Sequence, residues 1–312
     1  MALHPEVRQL LDQLAAAQAP AFSDLPPDQG RAAFAQLMGL IPPTDAAIGG
    51  TRELAIPTDE GTIGARLYLP ADAAAPPPVL VFFHGGGFVI GDVSTYDHLC
   101  RALCAGAQCA VVSVDYRLAP EHPFPAAPDD ALAAVRWVAR NATDLGIDAG
   151  RMAVGGDSAG GNLAAGTAIR LRDEGGPALR AQLLIYPVTD AGDETQSMID
   201  NAEGYLLTRV DMEWFLGHYV PEGTDLADPR LSPRRAERHD GLPPARVITA
   251  AFDPLCDDGR AYADTLEKAG VPVTRSHHDD TIHGFISFYT LFSGARREVD
   301  ESCAWLHEQL AG

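Results

Sequence analysis

The sequence predicts an α/β fold in which helices cover both faces of a mainly parallel sheet. Short, continuous apolar runs recur along the chain, and segments with helical periodicity, such as 128–141 and 158–172, lie between most of them. A strand that is buried on both faces has no polar side, so it reads as a continuous apolar run. The predicted strands are VLVFF (79–83), AVVSVDY (110–116), MAVGG (152–156), AQLLIYP (181–187) and ARVITAAF (245–252).

The sequence pattern before these strands predicts two helices followed by a hairpin. Two helical segments are separated by the breaker LPPD. Two strand-like runs then flank the turn signal DEG, which predicts an antiparallel hairpin, and an Ala/Pro-rich surface connector follows. The helices cover 5–19 and 28–39, the hairpin strands 52–58 and 63–70, and the connector Ala73–Pro78.

The alternation of strands and helices is interrupted once, by residues 189–240. This interval contains GYLLTRVDMEWFLGHYV (204–220), which has the pattern of an amphipathic helix. An insertion at this point lies above the carboxyl ends of the strands, where open α/β sheets carry their sites. We therefore expect 1–50 and 189–240 to form a helical cap, and 51–188 with 241–312 to form the core.

Composition excludes several classes of partner. The 312 residues carry a formal net charge of −20, which argues against nucleic acid and anionic membrane surfaces. No apolar run reaches the ~18 residues of a membrane span. The first twenty residues read as an amphipathic helix instead of a signal peptide, so we expect a cytoplasmic protein.

The sequence offers no ligand set at the spacing of a metal site. Its five cysteines are Cys100, Cys104, Cys109, Cys256 and Cys303, an odd number without zinc-type pairing. We interpret them as core residues and expect neither a metal nor a cofactor.

Ser158 is the candidate nucleophile. It stands in GGDSAGG (155–161), between the predicted strand 152–156 and a helix. A serine on such a sharp turn has strained backbone and an exposed hydroxyl, and small residues at 156 and 160 let the two arms pass closely. The helix N-terminus behind it suits an oxyanion. A phosphate-binding loop or a plain turn is the alternative for this segment alone.

A second glycine run, HGGGF (84–88), directly follows the strand VLVFF. Three glycines allow backbone N–H groups to point inward at close range, as a tetrahedral oxyanion requires. The competing interpretation, a nucleotide-binding loop, lacks the G-x-x-x-x-G-K-[ST] pattern and the G-x-G-x-x-G spacing. His84 is interpreted as a residue that organises the loop by hydrogen bonding.

Asp253 and His283 complete the candidate site. Asp253 follows the strand 245–252, and His283 follows the strand-like run 273–278. The order Ser158, Asp253, His283, with each residue just beyond a strand, is the order of an α/β-hydrolase triad.

Other acids and bases compete for these roles. His277 and His278 lie in a strand pattern, whereas His283 is followed by a glycine that lets its loop turn. Asp257 and Asp258 have the pattern of a helix N-cap region before 259–268.

Two further positions have both a functional and a structural interpretation. Asp157 is expected to anchor the turn of Ser158 by hydrogen bonds, with a direct role as the alternative. Glu121 and His122 could form an acid/base pair, but they stand in a proline-rich loop, YRLAPEHPFPAA, whose polar groups are expected to hold the strand ends together.

These segments together resemble the bacterial hormone-sensitive-lipase-like carboxylesterases of the α/β-hydrolase fold. The resemblance extends from about residue 50 to the C-terminus and includes GYLLT (204–208), which is similar to that family's cap helix. Phe252, where tyrosine is common, and Cys256 are small departures. The motifs are HGGG (84–87), YRLAPEHPFPAA (116–127), GDSAGGNLAA (156–165), DPLCDDG (253–259) and HGF (283–285).

The resemblance implies a role for each motif residue. Ser158 would be the nucleophile, His283 the general base and Asp253 the residue that orients it. The oxyanion would bind the N–H groups of Gly86, Gly87 and Ala159. The family implies cofactor-free hydrolysis of esters with short acyl chains, and homodimers formed through the sheet edge near the C-terminal strand.

The acyl or alcohol pocket is expected to include side chains from the core and the cap: Phe88, Leu207, Trp214, Phe215 and Phe285. Trp214 and Phe215 have an alternative role as the apolar face that docks the cap.

The predicted function is a serine carboxylesterase acting on short- to medium-chain esters through an acyl-enzyme. The same triad could serve an amidase or a longer-chain lipase, because fold and triad do not decide the substrate. Arg209, Asp211 and Glu213 among the apolar cap residues favour short, soluble esters. A binding module without turnover is the remaining alternative, although such a protein is expected to lose a triad member.

Overall fold

The computed structural model describes residues 2–71 and 75–311. Within these residues eight strands form one sheet with the order β1-β2-β4-β3-β5-β6-β7-β8. Strands β1, β2 and β4 pair antiparallel, and the remaining neighbours pair parallel. The strands are β1 Ile48–Thr58, β2 Gly61–Pro70, β3 Pro78–Phe83, β4 Ala110–Asp115, β5 Asp148–Asp157, β6 Leu179–Ile185, β7 Ala245–Phe252 and β8 Val273–Ile282.

Ten α-helices and three short 3₁₀ segments accompany the sheet in the same described residues. The 3₁₀ segments are Phe22–Asp24, Pro233–Arg235 and Phe285–Phe288. The helices are α1 Pro5–Ala16, α2 Pro27–Gly39, α3 Asp97–Ala107, α4 Ala126–Arg140, α5 Ala142–Leu145, α6 Ala159–Glu174, α7 Gln196–Asp200, α8 Arg209–Tyr219, α9 Cys256–Lys268 and α10 Ser293–Leu310.

The central strands are apolar along their whole length because each face of the sheet packs against its own set of helices. In β3, Val79 and Val81 belong to the core beneath α4, α6 and α9. Leu80 and Phe82 belong to the opposite core, which α1, α3 and α10 cover. Alternate side chains of one strand thus enter two cores, as expected for a doubly covered sheet. The predicted fold class is confirmed.

The predicted hairpin and the five central strands are present, with small shifts at their ends. Three predictions differ from the structure. The run 273–278 continues as strand β8 to Ile282, so its end lies directly beside His283. The pattern 204–220 becomes helical only at Arg209, because Thr208 caps α8 with a capping box that Asp211 closes.

The third difference concerns Asp257 and Asp258, which are not capping residues. Both lie inside the first turn of α9, whose N-cap is Leu255. The Asp258 carboxylate accepts hydrogen bonds from the backbone N–H and hydroxyl of Thr189, and Asp257 accepts one from the Ser197 N–H at 2.9 Å. The two acids therefore bind the start of the 189–240 insertion to the core.

The N-terminal segment contacts both the core and the insertion. Glu6 in α1 accepts a hydrogen bond of 2.8 Å from the Ser293 N–H at the start of α10. Further along, the Ser23 N–H donates to Asp211 of α8 at 3.0 Å, and the Phe22 and Phe215 rings pack 6.1 Å apart.

The predicted surface connector and the expected absence of a membrane span can be compared with the structure only over the residues that it describes. Within the predicted connector Ala73–Pro78, residues 73 and 74 lie outside the described part of the chain. No helix within residues 2–71 and 75–311 is both long enough and apolar enough to cross a membrane.

Candidate active site

Ser158 lies on the tight turn between β5 and α6. Its backbone is strained, with φ of 54° and ψ of −118°, a conformation that a non-glycine residue rarely adopts. The two arms of the turn leave no room for side chains, because a Cβ on Gly156 would lie 2.4 Å from the Gly160 carbonyl carbon. A Cβ on Gly160 would lie 1.9 Å from the Phe83 carbonyl oxygen. The glycines flanking the serine are therefore required by the close approach of backbone.

The structure brings Ser158, His283 and Asp253 into one line of hydrogen bonds. The Ser158 Oγ is 2.9 Å from His283 Nε2, and His283 Nδ1 is 2.8 Å from Asp253 Oδ2. Asp253 is fully buried, and its second oxygen accepts the Leu255 N–H at 2.8 Å. A buried carboxylate that accepts from Nδ1 leaves the Nε2 lone pair facing the serine hydroxyl. The imidazole is thus oriented to remove the hydroxyl proton.

The competing histidines lie elsewhere. His277 Nδ1 is 2.9 Å from the Thr249 hydroxyl, and its Nε2 faces Arg260. His278 Nε2 is 2.8 Å from a Glu298 carboxylate oxygen. Neither ring is hydrogen-bonded to Ser158, so both have structural partners of their own.

Gly86 and Gly87, in the loop after β3, line the same cavity as Ser158. Gly86 has φ of +115° and Gly87 has φ of +58°, values that L side chains rarely adopt. In the part of the chain that the structure describes, the N–H groups of Gly86, Gly87 and Ala159 donate no hydrogen bond. Unpaired N–H groups beside a nucleophile provide donors for a developing oxyanion.

Asp157 connects this loop to the turn of Ser158. Its Oδ1 accepts the Gly85 N–H at 2.7 Å, and its Oδ2 accepts the Tyr96 hydroxyl at 3.0 Å. Burial raises the pKa of the Asp157 carboxyl to about 6. The hydrogen bonds agree with the anchoring role expected from the sequence.

His84, at the start of the loop, is fully buried. Its Nδ1 is 2.7 Å from the Gly85 carbonyl oxygen, and its ring stacks on Tyr116 at 4.3 Å. Burial lowers the pKa of His84 to about 4, so the ring is neutral near pH 7. These contacts agree with a residue that organises the loop.

Glu121 and His122 do not form an acid/base pair beside Ser158. The Glu121 carboxylate accepts two hydrogen bonds from the Arg31 guanidinium of α2, at 2.8 and 2.6 Å. His122 is exposed. Glu121 therefore links the loop to the N-terminal helix, a contact that no pattern in the sequence indicates.

The cavity above Ser158 has a volume of about 90 Å³ and is lined mainly by apolar side chains. Of the predicted pocket residues, Phe88, Leu207 and Phe215 line it. Trp214 and Phe285 do not belong to the lining.

Trp214 and Phe285 face other parts of the fold. Trp214 is one residue away from Phe215 on α8, and it packs against His218 with ring centroids 4.7 Å apart. Phe285 packs between Tyr186 and His278, at 5.8 and 4.8 Å. The next turn of the same 3₁₀ segment instead brings Phe288 to the cavity.

Sequence reasoning missed the contribution of the N-terminal segment to this cavity. Phe34, Leu37 and Met38 of α2 line it together with Phe22. Their spacing along α2 is the i, i+3, i+4 pattern of one helix face, a signal that indicates a shared packed face but not the cavity that it lines. Leu206, just before the cap helix, was missed as well.

The chain is similar in sequence to known hydrolases. A family model described as alpha/beta hydrolase fold matches residues 80–287. The carboxylic ester hydrolase LipN of Mycobacterium tuberculosis is 46% identical over 265 residues, which cover 83% of this chain and 70% of that protein. An ethyl acetate hydrolase of Pseudomonas putida is 38% identical over 99% of both chains.

A solved structure agrees over almost the whole chain. It is an ester hydrolase from the metagenome of Lake Arreo, complexed with a derivative of bipyridine phosphonate. The TM-score is 0.95 with 44% identity, covering 99% of this chain and 100% of that one.

Proposed function

The chain belongs to the α/β-hydrolase family, and we propose that it hydrolyses short- to medium-chain carboxylic esters through an acyl-enzyme on Ser158. One observation carries this proposal. A serine on a strained turn is 2.9 Å from a histidine that a buried aspartate orients. The same cavity holds Gly86 and Gly87, whose N–H groups, like that of Ala159, donate no hydrogen bond within the described residues. The carboxylic ester hydrolases among its relatives support the same reaction class.

In the first half-reaction Ser158 Oγ attacks the ester carbonyl carbon while His283 Nε2 takes the hydroxyl proton. The new imidazolium is stabilised by Asp253, which accepts its Nδ1–H. The negative charge moves to the carbonyl oxygen, which the N–H groups of Gly86, Gly87 and Ala159 bind. Each such donor contributes on the order of 3 kcal/mol in related chemistry. His283 then protonates the leaving alcohol, and the acyl group remains on Ser158.

The second half-reaction repeats the same proton transfers with water as the nucleophile. His283 takes a proton from the water as it attacks the acyl-enzyme, and it returns the proton to Ser158 Oγ when the acid leaves.

The preference for short chains rests on the cavity. Its volume of about 90 Å³ is small compared with the ~300–1,000 Å³ of sites for drug-sized ligands. The lining is mainly apolar, so it suits a small acyl group without charge. An ethyl acetate hydrolase among the relatives supports the same range.

The cap elements 1–50 and 189–240 are proposed to roof the site. The contributions of Phe22, α2 and α8 to the cavity support this division of the chain. A homodimer is proposed through β8, which is the terminal strand of the sheet at the C-terminal side.

The test compares the wild type with Ser158→Ala and His283→Ala on 4-nitrophenyl acetate, butyrate, octanoate and palmitate. Loss of a triad residue is expected to lower kcat/KM by about a thousandfold or more. His277→Ala is the matched control, because this histidine has its own partners and is expected to keep wild-type turnover. Equal rates for the wild type and Ser158→Ala would contradict the proposal, and the fastest ester identifies the preferred chain length.

A further inference from the structure

Several carbonyl groups of the loop that carries Gly86 and Gly87 accept hydrogen bonds that hold the loop in place. Within the loop, the Gly86 carbonyl accepts the N–H groups of Val89 and Ile90, at 3.0 and 2.9 Å. From a neighbouring loop, the Ala119 N–H donates to the Phe88 carbonyl at 2.9 Å. These bonds restrain the peptide groups of the loop, and therefore the N–H groups of Gly86 and Gly87, which line the cavity at Ser158.

One carbonyl of this loop is held by a side chain from the N-terminal helix α2. Arg31 Nε donates to the Val89 carbonyl at 2.8 Å. The same guanidinium donates through Nη2 to the Ala119 carbonyl, also at 2.8 Å. Ala119 is the residue whose own N–H holds Phe88. Arg31 thus donates both to the loop that contains the Gly86–Gly87 turn and to the neighbouring loop that contains Ala119. These two loops also contact each other directly, through the Ala119 N–H and the Phe88 carbonyl.

The ion pair with Glu121 contributes to this arrangement mainly through orientation. The Glu121 side chain is 56% exposed and that of Arg31 is 29% exposed. Exposed ion pairs contribute little to stability. A planar guanidinium with donors in fixed directions can reach two carbonyls and a carboxylate at once, which an ammonium group cannot.

We propose that Arg31 is a positioning residue for the oxyanion-binding N–H groups, coupling the docking of α2 to the geometry of the Gly86–Gly87 turn. This inference rests on the proposed function. The same helix lines the cavity through Phe34, Leu37 and Met38. Docking of α2 therefore completes the acyl pocket and fixes the turn that binds the oxyanion.

The experiment measures kcat and KM for 4-nitrophenyl acetate in the wild type, Arg31→Met, Arg31→Lys and Glu121→Gln. Arg31→Met removes the donors to both carbonyls and is expected to lower kcat by about ten- to a hundredfold, because small displacements of oxyanion donors are costly. Arg31→Lys keeps a donor and is expected to recover part of this loss. Glu121→Gln keeps the arginine on both carbonyls and is expected to stay within about twofold of the wild type.

A second readout separates positioning from a general loss of structure. An aryl trifluoromethyl ketone adds to the serine as an oxyanion, so its inhibition constant reports the same N–H groups. In Arg31→Met this inhibition constant is expected to rise by the same factor by which kcat/KM falls. An inhibition constant equal to that of the wild type overturns the proposal.

The remaining outcomes are also decisive. The proposal is overturned if Arg31→Met keeps kcat within about twofold of the wild type, or if Glu121→Gln loses as much as Arg31→Met. If Arg31→Met does not fold, Arg31→Lys is used in its place. The kcat of Arg31→Lys must then fall by about threefold or more, while the kcat of Glu121→Gln stays at the wild-type value. Absence of Ser158-dependent turnover in the wild type contradicts the proposed function itself, before any Arg31 variant is compared.

Discussion

Asp157 is a buried acid one residue before the candidate nucleophile, and the triad does not use it. Its two oxygens accept the Gly85 N–H and the Tyr96 hydroxyl. Burial raises the pKa of its carboxyl from 3.8 to about 6, although both hydrogen bonds act in the opposite direction. The folded protein therefore holds a proton that the unfolded chain releases at lower pH.

The free energy of unfolding is expected to depend on pH through Asp157. Because the folded pKa is raised, its stabilising contribution is fully present below pH ~4 and is lost as the pH rises through ~6. The shift corresponds to a loss on the order of 3 kcal/mol. Asp157→Asn removes this titration, so its stability relative to the wild type should increase from pH 4 to pH 7 in urea unfolding.

Asp148→Asn is the control for this prediction. A hydrogen bond from Arg151 lowers the pKa of Asp148 below its ordinary value of 3.8. Its stabilising contribution is therefore fully present above that ordinary value and is lost as the pH falls through the lowered one. Its difference from the wild type should stay constant between pH ~5 and ~7. A constant difference for Asp157→Asn in the same range would show that Asp157 does not titrate there.

At the residue scale, the sequence predicts best what a local backbone requirement dictates. Ser158 and its glycines are identifiable because the turn excludes every side chain at positions 156 and 160. Trp214 and Phe285 could not be assigned in this way. Whether an aromatic side chain faces a cavity or a neighbouring helix depends on a rotation of one residue about the helix axis, and the sequence pattern does not resolve it.

At the scale of elements, the Gly86–Gly87 turn packs directly against the cap helix α8. A Cβ on Gly87 would lie 2.2 Å from Cγ of Phe215. Gly87→Ala should therefore displace α8 or the turn and lower kcat/KM for 4-nitrophenyl acetate by about tenfold or more. In a Phe215→Ala background the same substitution should cost several-fold less, since residues in contact are not additive.

Gly146→Ala is the matched control, because it separates backbone strain from the clash. Gly146 has φ of +74°, and nothing lies within 4 Å of its Cβ position. This variant should lose about 1 kcal/mol of stability and keep its activity. Equal losses of activity for Gly87→Ala in both Phe215 backgrounds would mean that the contact with α8 is not the cause.

The elements themselves were predictable where burial leaves a periodic pattern. The central strands were identified from their apolar runs, because both of their faces are buried. The start of α8 was not predictable in this way. GYLL extends the helical pattern towards the N-terminus, but the helix begins only after the capping box at Thr208. The contribution of α2 to the cavity was also missed, since a helix face does not specify what it packs against.

For the molecule as a whole, chain-length preference depends on how the cavity connects to its surroundings. An apolar groove of about 610 Å³ lies between α1, α2 and the segment before α8, against about 90 Å³ for the cavity at Ser158. Phe22, Leu37 and Leu206 line both. These three side chains form the wall between a small reactive cavity and a much larger groove.

Leu206→Ala is expected to open this wall and extend the range of esters. Removing the side chain should raise the ratio of kcat/KM for 4-nitrophenyl decanoate to that for the acetate by about tenfold or more. Burial of a few additional methylene groups of the acyl chain in the groove is enough to produce a change of this size. Met198→Ala is the control, because Met198 lines a neighbouring cavity but neither the cavity at Ser158 nor the groove, and it should leave the ratio unchanged. If Leu206→Ala gave the wild-type ratio, the groove would not accept the acyl chain, and the small cavity alone would set the substrate range.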